Sequence, residues 1–143
     1  MKTKEEQIQA ILSGNTFQWA CNQINSVKKM DHKKYDDFIS VTEQEIEEYV
    51  ISNGFGDSVV YENDGTEAWS IYDAHDRICI SQENKQWLVF RMGWEGRLEI
   101  SMFLEKGDAI REVIKRLINL AKISLNNRYQ NAHSENKESS VCK

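Results

Sequence analysis

Proline is absent from this chain of 143 residues, although it makes up about 5% of an average protein. Because proline interrupts helices and removes a backbone donor from strands, its absence favours continuous helices and unbroken hairpins. The apolar fraction of 40% is slightly low and the charged fraction of 29% slightly high for a globular protein. Such a composition fits one modest core beneath a charged surface, in a chain of ordinary single-domain length.

Long apolar runs are also missing, and cysteine is scarce. No run of about eighteen apolar residues exists, so the sequence predicts no membrane span. The N-terminal stretch MKTKEEQIQAIL meets acidic residues early and lacks the apolar core of a secretory signal. Cys21, Cys79 and Cys142 lie far apart and form no CxxC pair. We therefore expect free thiols in a reducing compartment and predict a cytoplasmic protein.

Catalytic signatures are missing as well. The Gly54-x-Gly56 pair lacks the third glycine and the following helix of a phosphate-binding loop, and neither GxSxG nor HExxH occurs. Paired carboxylates are plentiful, but carboxylates without a pocket are typical of a protein surface. The sequence therefore predicts that the chain is not an enzyme.

Two residues nevertheless have catalytic or metal-binding chemistry, His75 and Cys79. His75 lies in a turn beside Asp73 and Asp76, and an Asp-x-His-Asp cluster contains metal-ligand types. Persistent metal sites draw ligands from separate elements, however, and such side chains are also common in turns. In a strand, His75 and Cys79 would lie about 13 Å apart, too far for a nucleophile–base pair. We predict no metal site, cofactor or catalytic residue.

Capping patterns predict helices in the first half of the chain. The pattern Thr-Lys-Glu-Glu at 3–6 precedes apolar residues at helical spacing, which predicts a helical pair or a kinked helix up to about Met30. The pattern Thr-Glu-Gln-Glu at 42–45 predicts a short helix that ends near Gly54. Between them, 31–41 is either a linker or a short strand, and the pattern does not decide.

From about Ser58 to Glu105 the hydropathy period changes to two, which is typical of strands. Five runs, SVVYE, TEAWSIYD, RICISQ, QWLVFRM and GRLEISMFLE, are separated by short turn-like segments and predict a five-stranded antiparallel meander. In the last run apolar and polar side chains alternate, with Phe103 as the exception, so one face is expected to be packed and the other wet. The expected packed row is Leu98, Ile100, Met102 and Leu104.

The segment from Asp108 to about Asn126 carries a broad apolar stripe at helical spacing, which predicts a helix that covers the packed face of the sheet. From residue 127 the composition turns polar, and we predict a disordered tail over 127–143. The expected fold is therefore one α+β domain over 1–126, with N-terminal helices, an antiparallel meander of about five strands and a C-terminal helix on one face of the sheet.

The tryptophans of the predicted sheet region differ in position. Trp69 and Trp87 occupy strand centres and are expected in the core or between sheet and helix. Trp94 lies in the loop between Gly93 and Gly96. It either folds back on the sheet or is an exposed anchor for a partner, and the sequence leaves both interpretations open.

Charge is distributed unevenly along the chain. Residues 31–83 hold fourteen acidic and three basic side chains, a net charge of −11, whereas the rest holds nine acidic and fifteen basic ones, a net charge of +6. Such a negative field attracts a basic partner, unless it is only uneven solubilising charge. The overall charge of −5 and the lack of a basic stripe interleaved with aromatics argue against nucleic-acid binding.

This layout resembles the small immunity proteins of bacterial polymorphic and contact-dependent growth inhibition toxin systems. The similar features are the N-terminal helices, the acidic middle, the Trp-bearing meander QWLVFRMGWEGRLEIS and the closing helix DAIREVIKRLINLAKISL, over about residues 1–126. The resemblance implies a cytoplasmic inhibitor that binds a cognate toxin domain, often a basic nuclease, and masks its active site. It carries over no catalytic residue, because such proteins act by occlusion.

The acidic field fits this implication, because an acidic surface can occupy the cationic channel of a toxin that cleaves RNA or DNA. We predict a monomer or weak dimer with no membrane or nucleic-acid partner. The alternatives are an acidic chaperone or adaptor for a secreted effector, and a small-ligand binder that uses the concave sheet face with Trp87 or Trp69. The predicted partner-binding residues are Glu43, Glu47, Asp57, Asp64, Asp73, Asp76 and Trp94.

Overall fold

The computed structural model describes residues 3–25, 28–55, 59–63 and 77–141, with the backbone alone for 59–63, 128 and 131–141. The fold is α+β, with helices followed by a sheet and a C-terminal helix. In chain order the elements are α1 Lys4–Leu12, α2 Thr16–Ile24, a 3₁₀ turn Lys28–His32, α3 Tyr35–Phe38, α4 Glu43–Asn53, β1 Val59–Asn63, β2 Ile78–Glu83, β3 Gln86–Gly93, β4 Gly96–Phe103 and α5 Lys106–Val141.

The chain divides into two units. Residues 43–116 form one, which we call the sheet unit, and residues 1–42 together with 117–143 form the other, which we call the helical unit. The last helix contributes to both, since α5 crosses the boundary at Leu117. The predicted single domain over 1–126 stays a prediction.

The helical unit begins at the predicted cap. Thr3 Oγ1 accepts a hydrogen bond from the backbone N–H of Glu6 at 3.2 Å, so the cap at 3–6 is present. The buried Gln7 then connects α1 to the chain before α4, because its Oε1 accepts from the N–H groups of Ser40 at 2.8 Å and Val41 at 3.3 Å. These two hydrogen bonds offset the free-energy cost of removing the amide oxygen from water.

The stretch 31–41 is neither the linker nor the short strand that the sequence left open. It holds the end of the 3₁₀ turn and the short helix α3. An Asp37 carboxylate oxygen accepts from the N–H of Lys34 at 2.8 Å and closes the first turn of α3. The N–H of Tyr35 donates to Asn126 Oδ1 of α5 at 2.8 Å, and Lys122 Nζ lies 5.5 Å from the centroid of the Tyr35 ring. Tertiary partners therefore stabilise a helix too short to form by itself.

In the sheet unit, α4 begins directly after Thr42, as the capping pattern predicts. It ends before Gly54, whose φ of +79° is the left-handed conformation that terminates helices and favours glycine. Ile46 and Val50 are buried, which places one face of the helix in the core. The opposite face carries the glutamates considered below.

The sheet has the order β1-β2-β3-β4. Strands β2, β3 and β4 are antiparallel, whereas β1 pairs parallel to β2. The predicted five-stranded antiparallel meander is not confirmed, and its run TEAWSIYD lies outside the described residues. Alternation of side chains reveals a strand but not the direction of its neighbour. Fourteen residues separate Asn63 from Ile78, a length that suits the crossover between parallel strands.

The two hairpin turns fall where the sequence predicts them. Between β2 and β3, Asn84 and Lys85 have φ values of +50° and +66°, the left-handed pair of a two-residue hairpin loop. Between β3 and β4, Trp94 and Glu95 form the loop, flanked by the paired Gly93 and Gly96. A Cβ on Gly93 would lie 2.8 Å from Leu98 Cδ1, so this position favours glycine.

A β-bulge interrupts β4. Val89 pairs with Ser101 and Arg91 pairs with Leu98, so Glu99 and Ile100 together lie opposite Phe90. Glu99 has a φ of +55°, the left-handed conformation found at the first residue of a G1 bulge. Since side chains alternate across a strand, the extra residue places Leu98 on the face opposite to Ile100.

The predicted packed row on β4 is therefore wrong. Its members are exposed in the folded chain: Leu98 43%, Ile100 53%, Met102 65% and Leu104 76%. The α5 helix instead contacts the other row, where Arg116 Nη2 donates to Ser101 Oγ at 3.1 Å. On β3, Trp87 is buried and the Lys106 ammonium of α5 lies 5.4 Å from its ring centroid.

A second apolar cluster lies on the opposite face of the sheet. Cys79 and Phe90 are cross-strand partners with no exposed area, flanked by Leu88 and Met92. The Arg97 guanidinium lies 4.5 Å from the Phe90 ring centroid. The same guanidinium donates to both carboxylate oxygens of Glu83, at 2.7 and 3.3 Å. A fork-shaped ion pair therefore crosses the strands above Phe90.

The α5 helix continues to Val141, beyond the end that the sequence analysis places near Asn126. Neither glycine nor proline follows Gly107, so no residue of the usual helix-terminating types stops it. Val113, Ile114 and Leu117 of its apolar stripe are buried. In the part of the chain that the structure describes, no helix is long and apolar enough to cross a membrane.

Truncation of Leu117 tests the buried stripe of α5. Leu117 is 4% exposed, so Leu117→Ala is expected to lower the free energy of unfolding by about 2–5 kcal/mol in a urea titration. Leu120→Ala is the matched control on the same helix, because Leu120 is 50% exposed and ordinary surface changes stay within about 0.5 kcal/mol. Equal losses for the two variants would contradict the packing described.

The buried phenol of Tyr35 predicts a loss of stability in alkali. Burial, with a further contribution from the charge of Asp36, raises the pKa of Tyr35 from 10.0 to about 12. The folded state thus favours the neutral phenol, and this stabilisation is complete below pH 10 and lost as the pH rises to about 12. The loss amounts to about 2–3 kcal/mol.

Urea titrations at several pH values between 9 and about 12 measure this loss. Tyr35→Phe is expected to reduce the alkaline decline relative to the native chain, whereas Tyr49→Phe in the sheet unit should retain it. Parallel declines in all three proteins would show that Tyr35 is not the group responsible.

Candidate partner-binding surface

The outer face of α4 carries the first predicted partner-binding residues. Glu43 and Glu45 lie in its first turn, where the helix dipole stabilises negative charge. Gln44, Glu48 and Ile51 follow at intervals of four and three residues, so they share the face opposite to the buried Ile46. Ile51 is 68% exposed and adds an apolar side chain to this charged face.

This face lines a groove of about 550 Å³. Its lining residues are Glu43, Gln44, Glu47, Glu48, Ile51 and Arg111. The groove combines three carboxylates, one guanidinium and one exposed aliphatic side chain. Such a lining suits a cationic group that is carried on an aliphatic stem, because lysine and arginine side chains have this form.

Glu47 already has a partner within the sheet unit. Arg111 Nε donates to its two carboxylate oxygens at 3.1 and 3.3 Å, and Arg111 Nη1 donates to Asp108 at 2.7 Å. The predicted contact residue Glu47 therefore connects α4 to α5. Among the described residues, Glu43 and Glu48 are the groove carboxylates without a hydrogen-bond or ion-pair partner.

Trp94 lies at the tip of the β3–β4 hairpin, and 56% of it is exposed. The sequence leaves open whether this ring folds back on the sheet or projects from it, and the exposure favours the second interpretation. Exposed tryptophans on a tight turn supply a large rigid contact area at low entropic cost. Trp87 differs, since it is buried in β3 as the sequence predicts.

Several predicted site residues lie outside the described residues. These are Asp57, Asp64, Asp73 and Asp76, together with His75 and Trp69. Within the part of the chain that is described, no group of three histidine, cysteine or carboxylate side chains is arranged to hold a metal ion. Cys21 and Cys79 are buried thiols. The Sγ of Cys79 donates to the carbonyl oxygen of Arg77 at 3.6 Å.

The helical unit has a cleft of its own, of about 330 Å³. Trp19 and Phe38 meet edge to face there, with ring centroids 6.4 Å apart. The remaining lining residues are Gln7, Gln23, Ile24, Lys33 and Asp37. Two of its polar groups are already engaged, because Gln7 accepts from Ser40 and the Gln23 amide donates to the carbonyl of Trp19 at 3.1 Å.

The two units differ in the sign of their charge. The sheet unit holds sixteen acidic and eight basic side chains, a net charge of −8, whereas the helical unit holds seven acidic and ten basic ones, a net charge of +3. The acidic segment 31–83 of the sequence therefore does not match either unit, because the first unit boundary lies between residues 42 and 43. Within the sheet unit, residues 43–83 hold eleven acidic side chains and one basic one, a net charge of −10, whereas residues 84–116 hold five acidic and seven basic ones, a net charge of +2.

Comparison with protein-family models, curated proteins and solved structures finds no match for this chain. The surface must therefore be interpreted from its own chemistry. Sequence reasoning missed Glu48 and Ile51, although their helical spacing from Gln44 is a signal that marks them. It also counted Glu47 as available, because its partner Arg111 is distant in sequence.

Replacement of Trp94 tests its position. Trp94→Ala should change the free energy of unfolding by less than about 1 kcal/mol, because an exposed hairpin side chain makes few core contacts. Trp87→Ala is the control in the neighbouring strand and should cost about 3–5 kcal/mol, as expected for a buried aromatic side chain. A comparable loss for Trp94→Ala in denaturant titrations would mean that its ring packs on the sheet.

Proposed function

We propose that this chain is a cytoplasmic immunity protein, which binds a cognate toxin domain and occludes its active or substrate-binding site. The proposed toxin is basic and of the nuclease type. The acidic sheet unit is the proposed binding element, with the α4 groove and Trp94 as contacts. Inhibition needs no catalytic residue, because a bound protein excludes the substrate by volume and by charge.

The observation that carries this proposal is the groove on α4. Glu43 and Glu48 are carboxylates without a partner among the described residues, and they flank the exposed Ile51 on a unit with a net charge of −8. A toxin that cleaves nucleic acid must hold phosphates in a cationic channel. Carboxylates on a helix can replace those phosphates, while Ile51 and Trp94 add apolar contact once the surfaces meet.

The alternatives have less support. A small-ligand site that uses Trp87 requires an accessible ring, but Trp87 is 9% exposed and lies beneath Lys106. The other tryptophan of this alternative, Trp69, lies outside the described residues. A chaperone or adaptor for a secreted effector remains compatible with the acidic charge. It differs in its partner, since a chaperone binds an unfolded segment whereas an immunity protein binds a folded toxin.

Genetic context and co-expression test the proposal directly. An adjacent gene should encode a secreted protein whose C-terminal domain arrests growth when it is expressed inside cells. Co-expression of this chain should restore growth, and the two proteins should co-purify as a complex. Absence of such a gene, or growth arrest that this chain does not relieve, would refute the immunity function.

Charge reversal in the groove tests the mode of binding. The double variant Glu43→Lys, Glu48→Lys should slow association with the toxin domain about tenfold or more at low salt, as measured by stopped-flow or surface plasmon resonance. The difference should shrink as salt is added, because charges are screened over about 8–10 Å near physiological ionic strength. The free energy of unfolding should fall by no more than about 1 kcal/mol, because Glu43 loses a favourable interaction with the helix dipole and the exposed Glu48 contributes little.

The matched control is Glu5→Lys, Glu6→Lys, which changes the net charge equally in the helical unit. Its association rate should stay close to that of the native chain. If the α4 variant binds at the native rate across the salt series, the groove is not the contact surface. If both variants slow association equally, overall charge and not the groove determines the encounter.

A further inference from the structure

The edge strand β4 exposes an apolar, uncharged segment. It is the last strand in the order β1-β2-β3-β4, so one side of its backbone has no neighbouring strand in the described sheet. Residues 100–104 read ISMFL, with Ile100 53%, Met102 65% and Leu104 76% exposed. Sheet edges in monomeric proteins are normally protected by lysine, proline or a bulge, because an open edge pairs with other strands.

Only the first half of β4 has such protection. The carbonyl oxygen of the bulge residue Glu99 accepts from Arg116 Nη2, so its acceptor is already occupied. Arg97 is held by Glu83. After Glu99, the strand residues Ile100 to Phe103 carry neither a charge nor a proline. The unprotected part of the edge is therefore short and apolar.

We propose that this segment pairs with the same segment of a second copy, in an antiparallel two-fold contact centred on Ser101. In this register Ile100 of each copy lies opposite Met102 of the other. Ile100 and Met102 lie on the same face of the sheet, which is the face that carries Phe90 and Leu88. The contact would join two four-stranded sheets across β4 and place four exposed apolar side chains together.

The extent of the strand decides between this register and its neighbour. A centre at Met102 would place Ile100 opposite Leu104, which lies beyond the end of β4 at Phe103. With the centre at Ser101, the paired Ile100 and Met102 both lie within β4. The small serine at the two-fold axis also leaves room for the close approach of antiparallel backbones.

The chemistry of the segment favours a second copy over the basic partner of the proposed function. Residues 100–104 offer no carboxylate to a cationic protein. An uncharged apolar strand complements this segment, and another β4 has this composition and the same length. A strand that pairs with itself antiparallel closes with two-fold symmetry, so the association stops at a dimer.

Sedimentation equilibrium of the full chain tests the proposal. A contact of this length buries less than the ~800 Å² per partner of a standard interface, so we expect a Kd of about 10 µM to 1 mM. Met102→Glu should weaken the dimer about tenfold or more, because two carboxylates would enter the contact. Ile123→Glu is the matched control on α5, since Ile123 is 61% exposed and lies outside β4.

A monomer at every concentration up to about 1 mM would overturn the proposal, as would a dimer that Met102→Glu leaves intact. Ile100→Glu provides a second variant, and circular dichroism checks that each variant is folded. If Met102→Glu abolishes binding of the toxin domain while the native chain alone is monomeric, β4 binds that partner and the second-copy assignment is wrong.

A cysteine at the symmetry axis tests the register. Ser101→Cys in a Cys142→Ser background should form an interchain disulfide on mild oxidation, because opposed antiparallel Cα atoms lie about 4.5–5.5 Å apart, within disulfide range. Ile123→Cys in the same background controls for random collision. Cross-linking at Ile123 as fast as at Ser101 would refute the centre at Ser101.

Discussion

The left-handed backbone at Glu99 is the constraint on which the arrangement of the sheet unit depends. A residue other than glycine with a φ of +55° costs about 1–2 kcal/mol in backbone strain. Arg116 offsets this cost, because its guanidinium donates both to the carbonyl of Glu99 and to the hydroxyl of Ser101. Glu112, which lies one turn earlier on α5, accepts a hydrogen bond from Arg116 Nε at 2.8 Å and so orients the guanidinium. The bulge and the first half of α5 therefore stabilise each other.

This bulge determines which side chains are buried. The pairing of Arg97 with Met92 at the hairpin places Arg97 on the face that carries Phe90, where its guanidinium covers the ring and pairs with Glu83. The bulge then moves Ile100 and Met102 onto the same face but beyond this ion pair, and both are exposed. On the other face Ser101 takes the position beneath α5 that an apolar residue would otherwise occupy. The bulge at Glu99 thus explains both the exposed apolar edge of β4 and the polar contact between Ser101 and α5.

The sequence predicts the elements of this fold better than their pairing. Capping patterns locate α1 and α4, and turn residues locate both hairpin loops, because these signals act over three or four neighbouring residues. The bulge at Glu99 has no such signal, since the alternation of GRLEISMF continues through it. The parallel pairing of β1 and the ion pair between Glu47 and Arg111 depend on chain segments far apart in sequence.

The same limit applies to the candidate site. Because the sequence gives no sign of the bulge, the alternation assigned Leu98, Ile100 and Met102 to the core, although all three are exposed. The helical spacing of Gln44, Glu48 and Ile51 marks the groove face correctly, but only the tertiary partner of Glu47 distinguishes available carboxylates from engaged ones. A charged residue in a sequence is a candidate contact until its neighbours in space are known.

Two surfaces of opposite character follow from these constraints within one unit. The α4 groove acts through charge, which operates over about a Debye length before contact and weakens as salt is added. The β4 segment acts through apolar burial, which requires contact and is strengthened when salt reduces the repulsion between two units of net charge −8. Repulsion between two acidic units disfavours charged contacts between them and favours a segment that carries no charge, and residues 100–104 are such a segment. The proposed self-association and the proposed capture of a basic partner therefore differ in the direction of their response to ionic strength, and they use different residues of the sheet unit.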